Sequence, residues 1–209
     1  MRHLLDIDTW ARRAHFEFFS RFDEPFFGIT VHLDCTSAYA HAKAAGYSFF
    51  LSYLHKALVA ANLVEPFRYR ILDGQVWVYD QVNASPTINR PDGTFGFSYM
   101  NFEEDFAVFE MNATLEIDRV RHSQGLEPAI VGENVIHFST LPWISFTSLS
   151  HARSFLPQDS IPKISFGKVT DTPDGRKMMP VAVHVHHGLM DGYHVGMFLE
   201  HFQELLEKG

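Results

Sequence analysis

The chain has one cysteine, Cys35, among 209 residues. A single thiol excludes an internal disulfide and any site built from several cysteines. Its expected role is that of a small buried side chain. No apolar run approaches the ~20 residues that a membrane-spanning helix needs. Residues 1–6 lack the continuous apolar stretch of a secretion signal, so the cytoplasm is the expected compartment. Basic residues are also in deficit, with 17 Lys and Arg against 25 Asp and Glu and a net charge of -8. That balance argues against nucleic acid or an anionic lipid surface as a partner. Internal repeats, low-complexity tracts and linker-like stretches are absent.

What is present points to a large core. Hydrophobic residues make up 46% and charged residues 20%, the composition of a folded domain rather than a disordered chain. Twenty phenylalanines signal an aromatic core, an aromatic pocket, or both. The thirteen histidines are scattered, and only His184, His186 and His187 cluster. On a strand, His184 and His186 share one face and His187 takes the other. No third ligand is marked for a metal, so none is expected.

The patterning reads as one α/β domain over residues 1–209, built on a mostly antiparallel or mixed sheet. Asp8 and Thr9 stand where they would cap a helix starting at Trp10. A strand over 29–34 follows, then a short Ala-rich helix capped at Thr36 or Ser37 and ended by Gly46. A longer apolar helix is expected over 48–63. Asp73-Gly74 lies between two alternating runs and marks a hairpin over 69–79. Strands near 86–89 and 95–100, a helix over 102–122 and a strand over 134–139 come next. The runs 161–169 and 177–187 read as a second hairpin. A closing amphipathic helix spans 193–208.

The most informative stretch is Val181-Ala182-Val183-His184-Val185-His186-His187-Gly188-Leu189-Met190-Asp191-Gly192. An apolar strand delivers two adjacent histidines to a sharp turn, and an Asp-Gly pair opens a helix. Histidine, with an unperturbed pKa of about 6.5, suits proton transfer near neutral pH.

Three segments together carry a resemblance. They are Trp10-Ala11-Arg12-Arg13-Ala14-His15-Phe16-Glu17-Phe18-Phe19, Leu141-Pro142-Trp143-Ile144-Ser145-Phe146-Thr147-Ser148, and the stretch from Val185 through Asp191 to Gly196. In order and spacing the chain resembles the chloramphenicol acetyltransferase family along its whole length. The His-His-x-x-x-Asp-Gly string alone also resembles condensation domains of peptide synthetases and the catalytic domains of dihydrolipoyl acyltransferases. The resemblance implies a two-layer α/β fold and transfer of an acetyl group from acetyl-CoA, as co-substrate, to a hydroxyl of chloramphenicol. It implies His187 as the general base and Ser148 as the hydrogen-bond donor to the tetrahedral oxyanion. Asp191 and Arg12 would pair and hold the site's shape, with Arg13 the neighbouring alternative, and Asp191 also stands where it can cap the last helix. Phe18, Phe19, Phe27 and Phe95 match positions near the acceptor. Ser165 and Lys168 match positions on the coenzyme side, Lys168 as a point charge for phosphate. A homotrimer with sites between subunits is implied as well. The run Thr87-Ile88-Asn89-Arg90-Pro91-Asp92-Gly93-Thr94-Phe95 departs from the family pattern, and the segment 113–132 is shorter.

Overall fold

The structure, a computed structural model, describes residues 1–126, 132–152 and 159–209. In chain order the elements are β1 (Arg2–Leu4), α1 (Arg13–Phe19), β2 (Phe26–Asp34), α2 (Thr36–Ala45), α3 (Phe49–Leu63), β3 (Tyr69–Leu72), β4 (Gln75–Tyr79), β5 (Asn83–Asn89), β6 (Phe95–Phe97), α4 (Phe106–Arg121), β7 (Val135–Leu141), β8 (Lys163–Gly167), β9 (Thr170–Asp171), β10 (Lys177–His186) and α5 (Gly192–Glu207).

The main sheet runs β2-β10-β8-β7-β5-β6, with β9 pairing to β10. Its β5, β7 and β8 are mutually parallel and the other pairings antiparallel, so the sheet is mixed. The parallel pairs are joined by long connections, α4 among them, as parallel strands require. β1, β4 and β3 form a separate three-stranded sheet.

The pleat sorts the sheet's two faces. Val181, Val183 and Val185 of β10, with Ile164 and Phe166 of β8, face α3 and α5 in the main core. There Leu54, Leu58, Phe198 and Phe202 are completely buried. The other face carries Ala182, His184 and His186 beside Lys163 and Ser165, all buried. A smaller core joins the second sheet to the rest through Tyr69, Ile71, Val76, Val78 and Leu189. Fully buried Arg70 ties that sheet to the main one, donating from Nη2 to the Val135 carbonyl at 2.5 Å and from Nε to that of Glu133 at 2.6 Å. Cys35 is buried without solvent contact, its thiol donating to the Lys177 carbonyl at 3.2 Å. Burial, with the Asp34 charge beside it, pushes that thiol up to about 12.

Local signals fix several elements. Ser48 caps α3 by accepting the Leu51 N–H. Asp73 (φ 52°) and Gly74 (φ 75°) take the left-handed region that a tight hairpin turn demands. Other boundaries differ from the sequence expectation. α1 starts at Arg13, because Asp6 takes the Asp8 N–H and the Thr9 hydroxyl and makes residues 6–9 a turn of their own. Asp34, rather than Thr36 or Ser37, serves the start of α2, accepting the N–H of Thr36 at 2.9 Å. α4 starts at Phe106 on an Asp105 cap, since Phe102 donates its N–H to Asn83 instead. β6 stops at Phe97, and Met100 meets Ala84 only in a single bridge.

Candidate active site

β10 ends at His186, paired with Phe26 of β2, and the chain turns at once. The Leu189 and Met190 N–H groups both donate to the His186 carbonyl, at 3.0 and 3.1 Å. Both side chains are fully buried, Leu189 in the smaller core and Met190 in the main one. The turn is thus pinned into two cores at adjacent residues, which is why it holds its direction. The His187 N–H donates to the Pro25 carbonyl at 2.7 Å.

Gly188 leaves no room for a side chain. A Cβ there would lie 3.0 Å from the His186 ring and 3.4 Å from the Phe16 backbone. His186 is itself buried and accepts the Gly188 N–H on Nδ1 at 3.1 Å. Gly188→Ala must therefore displace the ring or the turn. The expected cost is about 1–3 kcal/mol, read as a lower Tm together with a lower kcat; a variant unchanged in both would show that the turn tolerates the methyl group.

The His187 ring is half-buried. It stacks on Phe19 at 4.0 Å between centroids and 16° between planes, and meets Phe27 at 4.6 Å. Nδ1 lies 3.3 Å from the Met190 carbonyl oxygen. A carbonyl only accepts, so this bond requires a proton on Nδ1, and in the neutral ring that tautomer leaves the lone pair on Nε2. Nε2 makes no hydrogen bond with a described residue.

Asp191 performs two tasks at once. It is the N-cap of α5, accepting the Tyr193 N–H at 3.1 Å. It also forms an ion pair with Nη1 of Arg12, whose Nη2 donates to the His187 carbonyl at 3.0 Å. Arg13 instead turns outward to Asp8 and Glu17. His194 Nδ1 lies 2.9 Å from the Asp191 carboxylate. Burial pushes the Asp191 carboxyl up, but the Arg12 guanidinium, by charge and hydrogen bond, with His194 beside it, outweighs burial and holds the carboxyl below its usual range. Arg12 sits at the start of α1, so this contact joins the helix carrying Phe19 to the turn carrying His187. Trp10 anchors the same segment, edge-on to Tyr69 at 5.8 Å.

The remaining candidates lie elsewhere in the chain. Phe18 is exposed and packs edge-on to Phe19 and against Phe22. Phe95 is on the far edge strand of the sheet, packed against Phe97. Ser148 is exposed on the connection that follows β7. That connection returns across the polar face of the sheet, where Nε2 of His151 meets the Ser165 hydroxyl at 3.3 Å. Ser165 is fully buried. Lys168 is exposed, its N–H donating to the Ile144 carbonyl at 2.8 Å.

Lys168 borders a cavity of about 800 Å³ between β5, β8 and the helices α3 and α4. Phe49, Phe50 and Tyr53 supply aromatic wall, and Thr87, Ile88 and Asn89 supply the β5 side. The run that departs from the family pattern thus contributes to this cavity. Residues 127–131 of the shortened segment lie outside the described residues. Met179 of β10 also lines the cavity, eight residues before His187. At ~3.3 Å per strand residue that separation is about 26 Å. Sequence reasoning did not single out this cavity, because its walls come from elements distant in the chain, α3, β5, α4, β7, β8 and β10. Among the described residues, no three His, Cys, Asp or Glu side chains are gathered to hold a metal ion. No described helix is long and apolar enough to cross a membrane.

The family pattern described as "Chloramphenicol acetyltransferase" matches residues 2–203. A chloramphenicol acetyltransferase of Proteus mirabilis is 30% identical over 207 residues, 99% of this chain and 95% of the relative. Chloramphenicol acetyltransferase 3 of Escherichia coli is 28% identical, covering 96% of this chain and 94% of the relative. A solved chloramphenicol acetyltransferase structure superimposes with a TM-score of 0.91 at 33% identity, covering 99% of this chain and all of the other. A probable dihydrolipoamide acetyltransferase from Listeria monocytogenes shares the fold alone, with a TM-score of 0.71 at 16% identity over 96% of this chain and 93% of its own. The chain belongs to the chloramphenicol acetyltransferase family and is an acyltransferase.

Proposed function

We propose that this protein transfers an acetyl group from acetyl-CoA to a hydroxyl of chloramphenicol, with His187 as general base. The observation that carries the reading is the fixed His187 ring. Its Nδ1 lies in hydrogen-bond reach of the Met190 carbonyl, which in the neutral ring puts the lone pair on Nε2, beside the apolar faces of Phe19 and Phe27. An alcohol is a weak nucleophile. Nε2 takes its proton as the oxygen attacks the thioester carbonyl, a contribution of roughly 10²–10⁴-fold. The tetrahedral oxyanion accepts a hydrogen bond from the Ser148 hydroxyl, worth about 10²–10³ in turnover. Collapse expels the thiolate, which recovers the proton from His187. Phe18, Phe19, Phe27 and Phe95 form the acceptor's aromatic wall, and Ser165 and Lys168 serve the coenzyme side.

The reading includes a homotrimer with sites shared between subunits. In one chain His187 and the Lys168 cavity stand at opposite ends of β10, and no hydrogen bond joins Ser148 to His187 among the described residues. A neighbouring copy supplies what each half-site lacks. Phe18, Phe22 and Tyr193 near the histidine, and Trp143 and Ile144 near the cavity, are all more than 45% exposed. Such exposed apolar side chains mark surfaces that another chain covers.

The test is release of CoA thiol from acetyl-CoA, with chloramphenicol and with its analogue lacking the primary hydroxyl. Release with the first and none with the second is expected. Release with neither, from protein that binds acetyl-CoA, would make the acceptor another hydroxyl compound. Light scattering is expected to give three times the 23.9 kDa mass of one chain; fully active monomer would remove the shared site.

A further inference from the structure

His194 is the third residue of α5, and its ring faces the carboxylate that caps the helix. A capping box ordinarily has glutamate or glutamine there, reaching back to the N–H of the cap residue. Here that N–H, of Asp191, lies 3.2 Å from Nδ1 of His194, and Oδ1 of Asp191 lies 2.9 Å from the same nitrogen. One nitrogen cannot serve both. The N–H needs a lone pair on Nδ1, and the carboxylate needs a proton there. The carboxylate is nearer and charged, so Nδ1 carries the proton and donates to Oδ1. That bond forms in the neutral ring and in the charged one. A glutamate at this position would instead set a second negative charge beside Asp191.

The two oxygens of Asp191 divide their partners. Oδ1 accepts from His194 and from the Tyr193 N–H at 3.1 Å, while Oδ2 pairs with Nη1 of Arg12. Nη2 of the same guanidinium donates to the His187 carbonyl at 3.0 Å. Nε of Arg12 is buried and makes no hydrogen bond with a described residue. Among the described residues, then, the guanidinium is aimed by two acceptors, Oδ2 and the His187 carbonyl. A carboxylate is planar and rigid, so whatever turns Oδ1 also turns Oδ2. The side chains of His194 and Arg12 are only 18% and 13% exposed, which leaves water little access to replace either contact.

We infer that His194 is a positioning residue for His187. By holding Oδ1 it sets the plane of the Asp191 carboxylate, and through Arg12 it sets the direction of the His187 carbonyl and ring. This rests on the general-base reading above and assigns His194 a role in it.

The experiment compares His194→Leu, which removes the donor, with His194→Asn, whose amide nitrogen lies about as far from Cβ as Nδ1 does. Each is made alone and together with Asp191→Asn. CoA thiol release with chloramphenicol as acceptor reads kcat and KM. Ring nitrogen chemical shifts in the free enzyme read which nitrogen of His187 carries the proton. His194→Leu is expected to lower kcat roughly ten- to hundredfold, the scale of a small displacement of a catalytic group. The KM for acetyl-CoA stays unchanged, and His187 is no longer held in one tautomer. His194→Asn is expected to recover most of kcat and the wild-type tautomer. Because His194 acts through Asp191, adding His194→Leu to Asp191→Asn is expected to lower kcat no further. The inference is overturned if His194→Leu leaves either kcat or the His187 tautomer at the wild-type value, whatever its Tm, since a purely structural role at the start of α5 would lower Tm alone. It is also overturned if His194→Asn is as slow as His194→Leu, or if the losses multiply in the double variant. Wild-type protein that transfers no acetyl group removes the proposed reaction, and the His187 tautomer then decides by itself. A change in His194→Leu that His194→Asn reverses keeps the inference, and no change overturns it.

Discussion

His187→Ala is expected to lower kcat for acetyl transfer roughly 10²–10⁴-fold, the contribution of a positioned general base, while the fold and CoA binding stay intact. The ring is half-buried, its side-chain hydrogen bond among the described residues goes to the Met190 carbonyl, and it stacks on Phe19 at the edge of the core. Removing it deletes the proposed proton acceptor without opening an interior cavity. His186→Ala is the contrasting variant. His186 is 2% exposed, accepts the Gly188 N–H and sits edge-on to Phe26. Its loss strikes packing and the turn, so a lower Tm and a smaller effect on kcat are expected. Near-normal turnover in a clean His187→Ala preparation would end the proposed mechanism.

Asp191→Asn is expected to lower both stability and activity. Asparagine keeps the α5 cap, since it caps helices about as well as aspartate does, but it loses the ion pair with Arg12. Breaking a fully buried pair costs about 3–5 kcal/mol and a surface pair about 0–1 kcal/mol. The Arg12 side chain is 13% exposed and that of Asp191 35%, which sets this pair between the two limits. A loss of about 2 kcal/mol is expected, or roughly 4–8 °C in Tm for a domain of this size. Asp191→Ala also removes the cap and costs about 1 kcal/mol more. Arg12→Ala acts in the same direction, because α1, Phe19 and the His187 carbonyl are all held through that guanidinium. The pH dependence has a definite sign. The folded carboxyl lies below its usual range, so its contribution is complete above the unfolded value of about 3.9. It disappears as pH falls through the lower folded pKa. The Tm gap between wild type and Asp191→Asn should therefore close on acidification below pH 4. A variant that keeps the wild-type Tm and loses only turnover would make Asp191 a participant in the chemistry.

Much of the C-terminal half of the site was legible in the chain. Alternating valines specify a strand, Gly188 and the Asp191-Gly192 pair specify a turn and a helix start, and His187 falls between them. These are local features, set by residues within one or two turns of each other. The Asp73-Gly74 hairpin and the helix from about Ser48 to Leu63 were legible for the same reason. At the start of α4, where the sequence misplaced the boundary, a distant partner had taken a group that local reading assigned to the helix. Phe102 shows this, its N–H going to Asn83 nineteen residues away.

The sequence by itself determined that this chain has the α/β pattern of an acyltransferase family and that His187 lies between the end of a strand and the start of a helix. Only the tertiary structure decided that Arg12 rather than Arg13 meets Asp191, that Ser165 is buried against His151, and that Arg121 and Lys168 border one cavity. β1 belongs to the same class, three exposed residues whose strand exists through pairing with β4, seventy-odd positions on. The physical reason is register. Local spacing fixes which face of an element a side chain takes. Which faces then meet depends on strand pairing and helix packing between residues far apart in the chain, and a shift of one residue in that pairing would turn a different set of side chains into each site.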